Sequence, residues 1–220
     1  MNQQAALMFA TSGHSGVDRI VSNLLPEFGR THHKFDLLTI PGHGPYLNNV
    51  PDNIKLRILP ALNKSTILPG LVWYLYRHRP IVLLTASHKL NRTALLARTI
   101  TSVSTRIVIR MGMSVTAKAN EMKPAKRQAL QDSMRRWYPQ ADAVITPSQG
   151  VADDLKEIAN IEQNKLHVIP NPLINDQFYS MANEPLNHTW FNNSEVPVIL
   201  SVGSLEARKD FPTLIRAFSI

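Results

Sequence analysis

Short apolar runs alternate with longer amphipathic stretches along most of the chain, and this alternation restricts the fold more than any other feature. Both IVLLTA and RIVIRM are almost wholly apolar, as expected of strands that helices cover on both faces. We predict strands at Ala5–Ala10, Phe35–Ile40, Leu56–Leu59, Ile81–Ala86, Arg106–Met111, Ala143–Thr146, Leu166–Ile169 and Val198–Val202. We predict helices at Val17–Phe28, Leu71–His78, Arg92–Thr101, Lys123–Tyr138, Gly150–Ala159 and Phe211–Ile220. The pattern therefore predicts an α/β fold with a Rossmann-like, doubly wound parallel sheet.

A proline-rich stretch interrupts this pattern between residues 170 and 197, where four prolines occur. Proline removes a hydrogen-bond donor from the backbone, so this stretch is expected to be a connection and not part of the sheet. We predict a first domain at residues 1–170, a connection at 171–196 and the first βα unit of a truncated second Rossmann domain at 197–220. One strand and one helix cannot bury their own apolar faces, so we expect further chain to complete that second domain.

Composition narrows the function classes. The chain has no cysteine, which excludes disulfides and thiolate metal sites, and its scattered histidines suggest no metal cluster. It shows no signal peptide and no apolar run of membrane-spanning length, so we expect a cytoplasmic protein. Residues 1–110 carry 13 Lys+Arg and 4 Asp+Glu, a balance of +9, against −1 for the remainder. A basic first half suits a phosphate-bearing substrate, an acidic membrane surface or nucleic acid, although an ordinary solvated surface remains an alternative.

A glycine-containing turn follows the first predicted strand and precedes the first predicted helix. Glycine lets a backbone approach a ligand closely, and a helix N-terminus offers free N–H groups, so the turn from Thr11 to Arg19 is a candidate for contacting phosphate or sugar hydroxyls. A tight strand-to-helix turn with no ligand explains the same residues. The turn is not the glycine fingerprint of dinucleotide-binding proteins.

Three later segments, in this order, resemble glycosyltransferase family 4, a family of retaining GT-B enzymes: ADAVITPSQGVADDL, VIPNP and SVGSLEARKDFPTLIRAF. The SGVDR segment is similar to the family's GG-x-E-R turn. The resemblance implies two Rossmann-like domains facing across a cleft, the first binding the acceptor and the second binding a nucleotide-sugar donor. It also implies retention of configuration, no cofactor, no metal, and a role in cell-surface polysaccharide or glycolipid synthesis.

The resemblance carries over to particular residues. Lys209 aligns with the lysine that meets the donor diphosphate, and Ser15 and Gly16 would face the donor from the opposite wall. Ser204 stands where the family has a diphosphate-binding arginine, and a serine brings no charge. Arg110 lies where many members have a histidine. We assign no catalytic residue, and we expect the 220-residue chain alone to be inactive.

Other function classes stay open. The chain is alternatively a non-catalytic truncated or anion-binding Rossmann module. A sugar-nucleotide epimerase of the same fold is disfavoured by the VGxLxxxKD pattern. A nucleic-acid-binding module is disfavoured because the basic half lacks interleaved aromatic residues and any recognised nucleic-acid motif.

Candidate acceptor-binding residues follow two central predicted strands. Asn91 and Arg92 come shortly after IVLLTA, and Arg110 ends the next strand. The carboxyl ends of parallel strands share one edge of a sheet, so we expect Asn91, Arg92 and Arg110 to face the cleft and an anionic acceptor group. Alternatively, Arg92 is a solvated residue of the first helical turn.

The stretch from Lys118 to Tyr138 holds six basic and two acidic residues. On a helix, Leu130, Met134 and Trp137 fall on one apolar side, flanked by the bases. A basic amphipathic helix of this kind can lie in an anionic headgroup layer, which predicts peripheral membrane association. The competing interpretation is an ordinary helix that packs Leu130, Met134 and Trp137 onto the sheet.

Overall fold

A computed structural model gives the structure of the chain and describes residues 4–9, 16–41, 50–63, 65–192, 197–206 and 209–219, without the side chains of Asp176 and Gln177. Within these residues, seven strands form one parallel sheet in the order β3-β2-β1-β4-β5-β6-β7. They are β1 (Gln4–Phe9), β2 (Lys34–Thr39), β3 (Ile54–Ile58), β4 (Val82–Ala86), β5 (Arg106–Arg110), β6 (Ala143–Thr146) and β7 (Leu166–Val168). The predicted α/β fold with a Rossmann-like parallel sheet is confirmed.

The helices of the described residues are α1 (Gly16–Gly29), α2 (Leu68–His78), α3 (His88–Thr101), α4 (Val115–Asn120), α5 (Pro124–Trp137), α6 (Gln149–Ala159), α7 (Asp176–Ala182), α8 (Thr189–Asn192) and α9 (Phe211–Phe218). The short helices α4, α7 and α8 were not predicted. Helix α3 begins at His88, one turn before the predicted Arg92, because Leu90 and Ala94 already lie one turn apart on its buried side.

The chain divides into two compact units, Met1–Asn175 and Asp176–Ile220. In the first unit, the alternating side chains of the strands supply two apolar cores, one on each face of the sheet. Helix α1 covers one face through Val21 and Leu25. Helices α2, α3, α5 and α6 contribute to the larger core on the other face. Both faces of the central strands are thus buried, which explains their almost continuous apolar sequences.

The second unit corrects one expectation. None of its described residues forms a strand, so the predicted strand at Val198–Val202 is wrong in this structure, and the only helix after it is α9. A strand requires a hydrogen-bonded neighbour, and the described residues of this unit offer none. Ile199, Leu200 and Val202 are accordingly exposed. The assignment of 197–220 to a second Rossmann domain, like the boundaries 1–170 and 171–196, stays a prediction.

Candidate functional site

The carboxyl edge of the sheet, where the chain reverses its direction of winding, is the candidate site. Strands β1, β2 and β3 succeed one another in one direction, and β4 to β7 continue from β1 in the other, so the switch point lies between β1 and β4. Phe9, Ala86 and Arg110 are register partners at this edge. Ligands of doubly wound sheets bind outside the carboxyl ends of the strands at such a point.

Arg110 stands out at this edge because it is a buried cation with no carboxylate partner among the described residues. Only 8% of it is exposed, and no ion pair among the described residues includes it. Its Nη2 donates to the Asn171 Oδ1 at 2.5 Å. Burial lowers the pKa of the guanidinium from its ordinary value. A buried charge is costly unless it is paired, so this position favours an anionic ligand.

The proline-rich connection begins directly over this edge. The side chain of Asn23, on α1, donates to the Pro172 carbonyl at 2.6 Å, and the Asn175 amide donates to Asn23 Oδ1 at 3.0 Å. These bonds hold the segment that carries Asn171 next to the Arg110 guanidinium. The sequence identified VIPNP as part of a connection but gave no sign that its asparagine contacts Arg110.

Asn91, one of the predicted acceptor-binding residues, lies inside the protein, and its contact with an acceptor stays a prediction. It is fully buried, accepts from Thr85 Oγ1 at 2.8 Å and donates to the Arg110 carbonyl at 3.1 Å. Its amide therefore joins the ends of β4 and β5 beneath the edge, and in this structure it is turned away from solvent. We assign it the role of fixing the backbone of Arg110.

Two residues that the sequence did not single out lie beside Asn91. Ser87 lies between β4 and α3 in a backbone conformation with φ 94°, which residues other than glycine rarely adopt. Its neighbour His88 has Nδ1 3.1 Å from the Tyr138 hydroxyl. Burial, with smaller contributions from Arg92 and Lys118, lowers the pKa of His88 to about 4. His88 is therefore neutral at pH 7.

Arg92 and Arg110 are not brought together. The side chain of Arg110 lies on the α1 face of the sheet, since its register partner Ala86 packs in the core on that face. Arg92 is an exposed residue of α3, which packs against the opposite face. Its place on an exposed helical turn is what the alternative interpretation predicted, and its contact with an acceptor stays a prediction.

The predicted donor-binding residues lie in the second unit and in the glycine turn. Ser204 Oγ donates to Glu206 Oε1 at 2.8 Å, and the Lys209 N–H donates to the Glu206 carbonyl at 2.9 Å. The aliphatic part of Lys209 lies over Gly203, where a side-chain Cβ would come within 3.3 Å of it. Ser204 and Lys209 are thus both bonded to Glu206.

Ser15 lies outside the described residues. Gly16 begins α1, and no described residue outside its own helix lies within 4 Å of the position where its Cβ would be.

The apolar side of α5 packs against the protein. Met134 and Tyr138 are buried in the larger core, and Leu130 and Trp137 pack against it. The structure therefore shows the competing interpretation, an ordinary helix that packs these side chains onto the sheet. They are not available for insertion into lipid. None of the helices in the described ranges has the length and apolar character that crossing a bilayer requires.

A parallel sheet wound in this order, with polar side chains at the carboxyl ends of strands near its switch point, is typical of Rossmann-like ligand-binding proteins. The chain belongs to the glycosyl transferase 4-like domain family, whose model matches residues 15–172. No curated protein sequence matches the chain.

Solved structures with a similar fold include several glycosyltransferases and a putative UDP-N-acetylglucosamine 2-epimerase from Listeria monocytogenes. Sucrose-phosphate synthase from Thermosynechococcus elongatus has a TM-score of 0.57 at 14% identity, over 76% of this chain and 48% of that one. A glycosyltransferase from Rickettsia africae has a TM-score of 0.55 at 15% identity, with 77% and 43% covered. HepE from Anabaena, solved with UDP and glucose, has a TM-score of 0.54 at 13% identity, with 76% and 44% covered. The chain spans less than half the length of each.

Proposed function

We propose that this chain provides the acceptor-binding side of a glycosyltransferase that moves a sugar from a nucleotide-sugar donor to an acceptor with an anionic group. Membership of the glycosyl transferase 4-like family supports glycosyl transfer. The observation that carries the anionic acceptor is Arg110, a buried cation with no carboxylate among the described residues, at the ligand-binding edge. A phosphate or carboxylate bound there would supply the missing counter-charge and form charge-assisted hydrogen bonds.

The donor side of the proposal rests on the family resemblance and on the bonds that Ser204 and Lys209 make to Glu206. In this proposal Lys209 contacts the donor diphosphate as a point charge, and Ser15 and Gly16 contribute from the glycine turn. Ser204 supplies one hydroxyl in place of a guanidinium, so we expect weak donor binding. HepE was solved with UDP and glucose, which supports a nucleotide-sugar donor for this chain as well. Retention, with electrostatic stabilisation of the departing diphosphate, follows from the family resemblance.

The test is transfer of a labelled sugar from a panel of nucleotide sugars to lipid and polysaccharide acceptors with and without phosphate groups. We expect transfer to the phosphorylated acceptors only, and we expect Arg110→Met to raise KM for the acceptor far more than it changes KM for the donor. Equal transfer to neutral and anionic acceptors, or an acceptor KM that does not depend on Arg110, would contradict the anionic acceptor. Because we expect the 220-residue chain alone to be inactive, the assay uses the full-length enzyme, and absence of transfer with every donor there would contradict the proposed glycosyl transfer.

We further propose that the protein acts in cell-surface polysaccharide or glycolipid synthesis and binds an anionic membrane surface through charge alone. The apolar side of α5 is occupied by the core, but Lys123, Lys126 and Arg136 are exposed on this helix. Each basic residue near an anionic surface contributes about 1 kcal/mol, and salt screens this attraction.

Sedimentation with vesicles of anionic lipid, with neutral vesicles as a control, tests this second proposal. Binding should require anionic lipid and low salt, and it should be lost when Lys123, Lys126 and Arg127 are changed to glutamate. Binding to neutral vesicles, or no binding to anionic vesicles at low salt, would show that the charge does not serve this purpose.

A further inference from the structure

Asp154 lies on α6, inside the segment ADAVITPSQGVADDL, but its carboxylate binds groups about 40 residues earlier in the chain. Its Oδ2 accepts from Ser114 Oγ at 2.9 Å, from the Val115 N–H at 2.6 Å and from the Thr116 N–H at 3.2 Å. Its Oδ1 accepts from the Thr116 hydroxyl. A single carboxylate therefore binds every donor at the start of α4 except the one that Ser114 Oγ itself accepts, from the Ala117 N–H at 3.1 Å.

These bonds fix a helix that is too short to be stable by itself. Helix α4 has six residues, and the N–H groups of its first turn have no partners within the helix. Burial opposes ionisation of Asp154, but the hydrogen bonds from Thr116, Ser114 and Val115 outweigh it and lower the pKa of its carboxyl. Asp154 is thus a charged, well-bonded cap that reaches α4 from a different helix.

The segment that Asp154 fixes begins immediately after Arg110. The Met111 N–H donates to the Ile145 carbonyl at 3.0 Å, and Ser114, three residues later, is bonded to Asp154. Between them lies Gly112, where a Cβ would stand 3.1 Å from Arg110 Nη1. The backbone of Gly112 therefore packs directly against the guanidinium, and it is held from both sides.

We infer that Asp154 is a positioning residue for the anion site: by holding residues 112–116, it keeps the guanidinium of Arg110 oriented for its ligand. Asp154 itself does not contact that ligand. The inference rests on the proposed role of Arg110 and adds a residue on α6 that acts through α4. Asp154 belongs to the segment that resembles glycosyltransferase family 4. In this inference it acts on α4, and not only on the dipole of its own helix α6.

The experiment measures binding of inorganic phosphate to the 220-residue chain by calorimetry, and by NMR at the arginine Nε–Hε groups. We expect Arg110→Ala to abolish the phosphate-dependent shift of one arginine signal. Asp154→Asn keeps the shape of the side chain and removes its charge, and we expect it to weaken phosphate binding about tenfold or more, because small displacements of a binding group are costly.

Two control variants separate positioning from general loss of stability. Asp153→Asn changes the adjacent exposed carboxylate, whose bond is to Gln149, and it should leave phosphate binding unchanged. Tyr74→Phe removes a buried hydrogen bond to Asp36 elsewhere in the sheet, and it should lower the melting temperature without changing phosphate affinity.

The outcomes distinguish this inference from the proposed function. Phosphate binding that Arg110→Ala abolishes and Asp154→Asn leaves intact would overturn the positioning role alone. No phosphate binding to the wild type, or binding that is independent of Arg110, would overturn both. If Tyr74→Phe lowers the phosphate affinity as much as Asp154→Asn does, the loss of affinity is explained by lower stability. This outcome would also overturn the positioning role.

Discussion

Replacing Arg110 by methionine tests whether this residue serves ligand binding or stability. The substitution removes one charge-assisted hydrogen bond, to Asn171, which is worth about 1.5–3 kcal/mol. It also removes the cost of keeping an unpaired guanidinium buried, which is several kcal/mol for an ion in a protein interior. The second effect is at least as large as the first. We therefore expect the free energy of unfolding to fall by no more than about 1 kcal/mol, or to rise.

Arg57 provides a matched control in the same chain. Its Nε is 2.6 Å from Asp36 Oδ2, and Asp36 is fully buried, with its other oxygen unpartnered. Among the described residues, Arg57→Met leaves this carboxylate with only the Tyr74 hydroxyl as a side-chain partner. Removing one member of a buried ion pair strands the other, so we expect a loss of about 3 kcal/mol or more.

Urea unfolding followed by circular dichroism at pH 7, with and without phosphate, measures both variants. Phosphate at a hundred times its dissociation constant should stabilise the wild type by about 2.7 kcal/mol and should not stabilise Arg110→Met. A loss above about 3 kcal/mol for Arg110→Met, equal to that for Arg57→Met, would refute the reasoning, because Arg110 would then be a structural residue.

Three other predictions follow from single features of the fold. The pKa of His88 is lowered to about 4, so between that pH and about 6.5 the unfolded chain binds more protons than the folded chain. The free energy of unfolding should therefore rise with pH across this window, and it should rise less in His88→Gln. An NMR titration midpoint of His88 near 6.5 would contradict the lowered pKa. Gly112→Ala should cost little stability, because the flexible end of Arg110 can move away from the new methyl group, but it should weaken phosphate binding; unchanged calorimetric affinity would show that the close contact is unimportant. Limited proteolysis should cut first within Asn175–Ser194, at the start of the second compact unit, and early cleavage within Ile81–Met111 would contradict a stable first unit.

Much of the fold can be read from local sequence. Six of the seven strands in the described residues lie within one residue of their predicted bounds, because β-branched apolar runs predict strands wherever helices cover both faces. The exception is β3, which begins two residues early and ends one residue early but still overlaps its prediction. The strand predicted at Val198–Val202 failed because a strand also needs a partner, and a local pattern cannot supply one.

The position of Arg110 at the carboxyl edge was determined by the sequence, since it ends an apolar strand of a parallel sheet. The contacts that surround Arg110 were decided by the tertiary structure. The Asn171 contact spans 61 residues and the Asp154 bond to Val115 spans 39, and no periodicity of the sequence encodes either. Likewise, the apolar side of α5 was visible in the sequence, but a hydrophobic pattern says only that a face is buried and not whether protein or lipid buries it. In the folded chain, Met134 packs in the larger core, so protein buries this face. The sequence could not show this, because side chains far apart in sequence meet only in the folded chain.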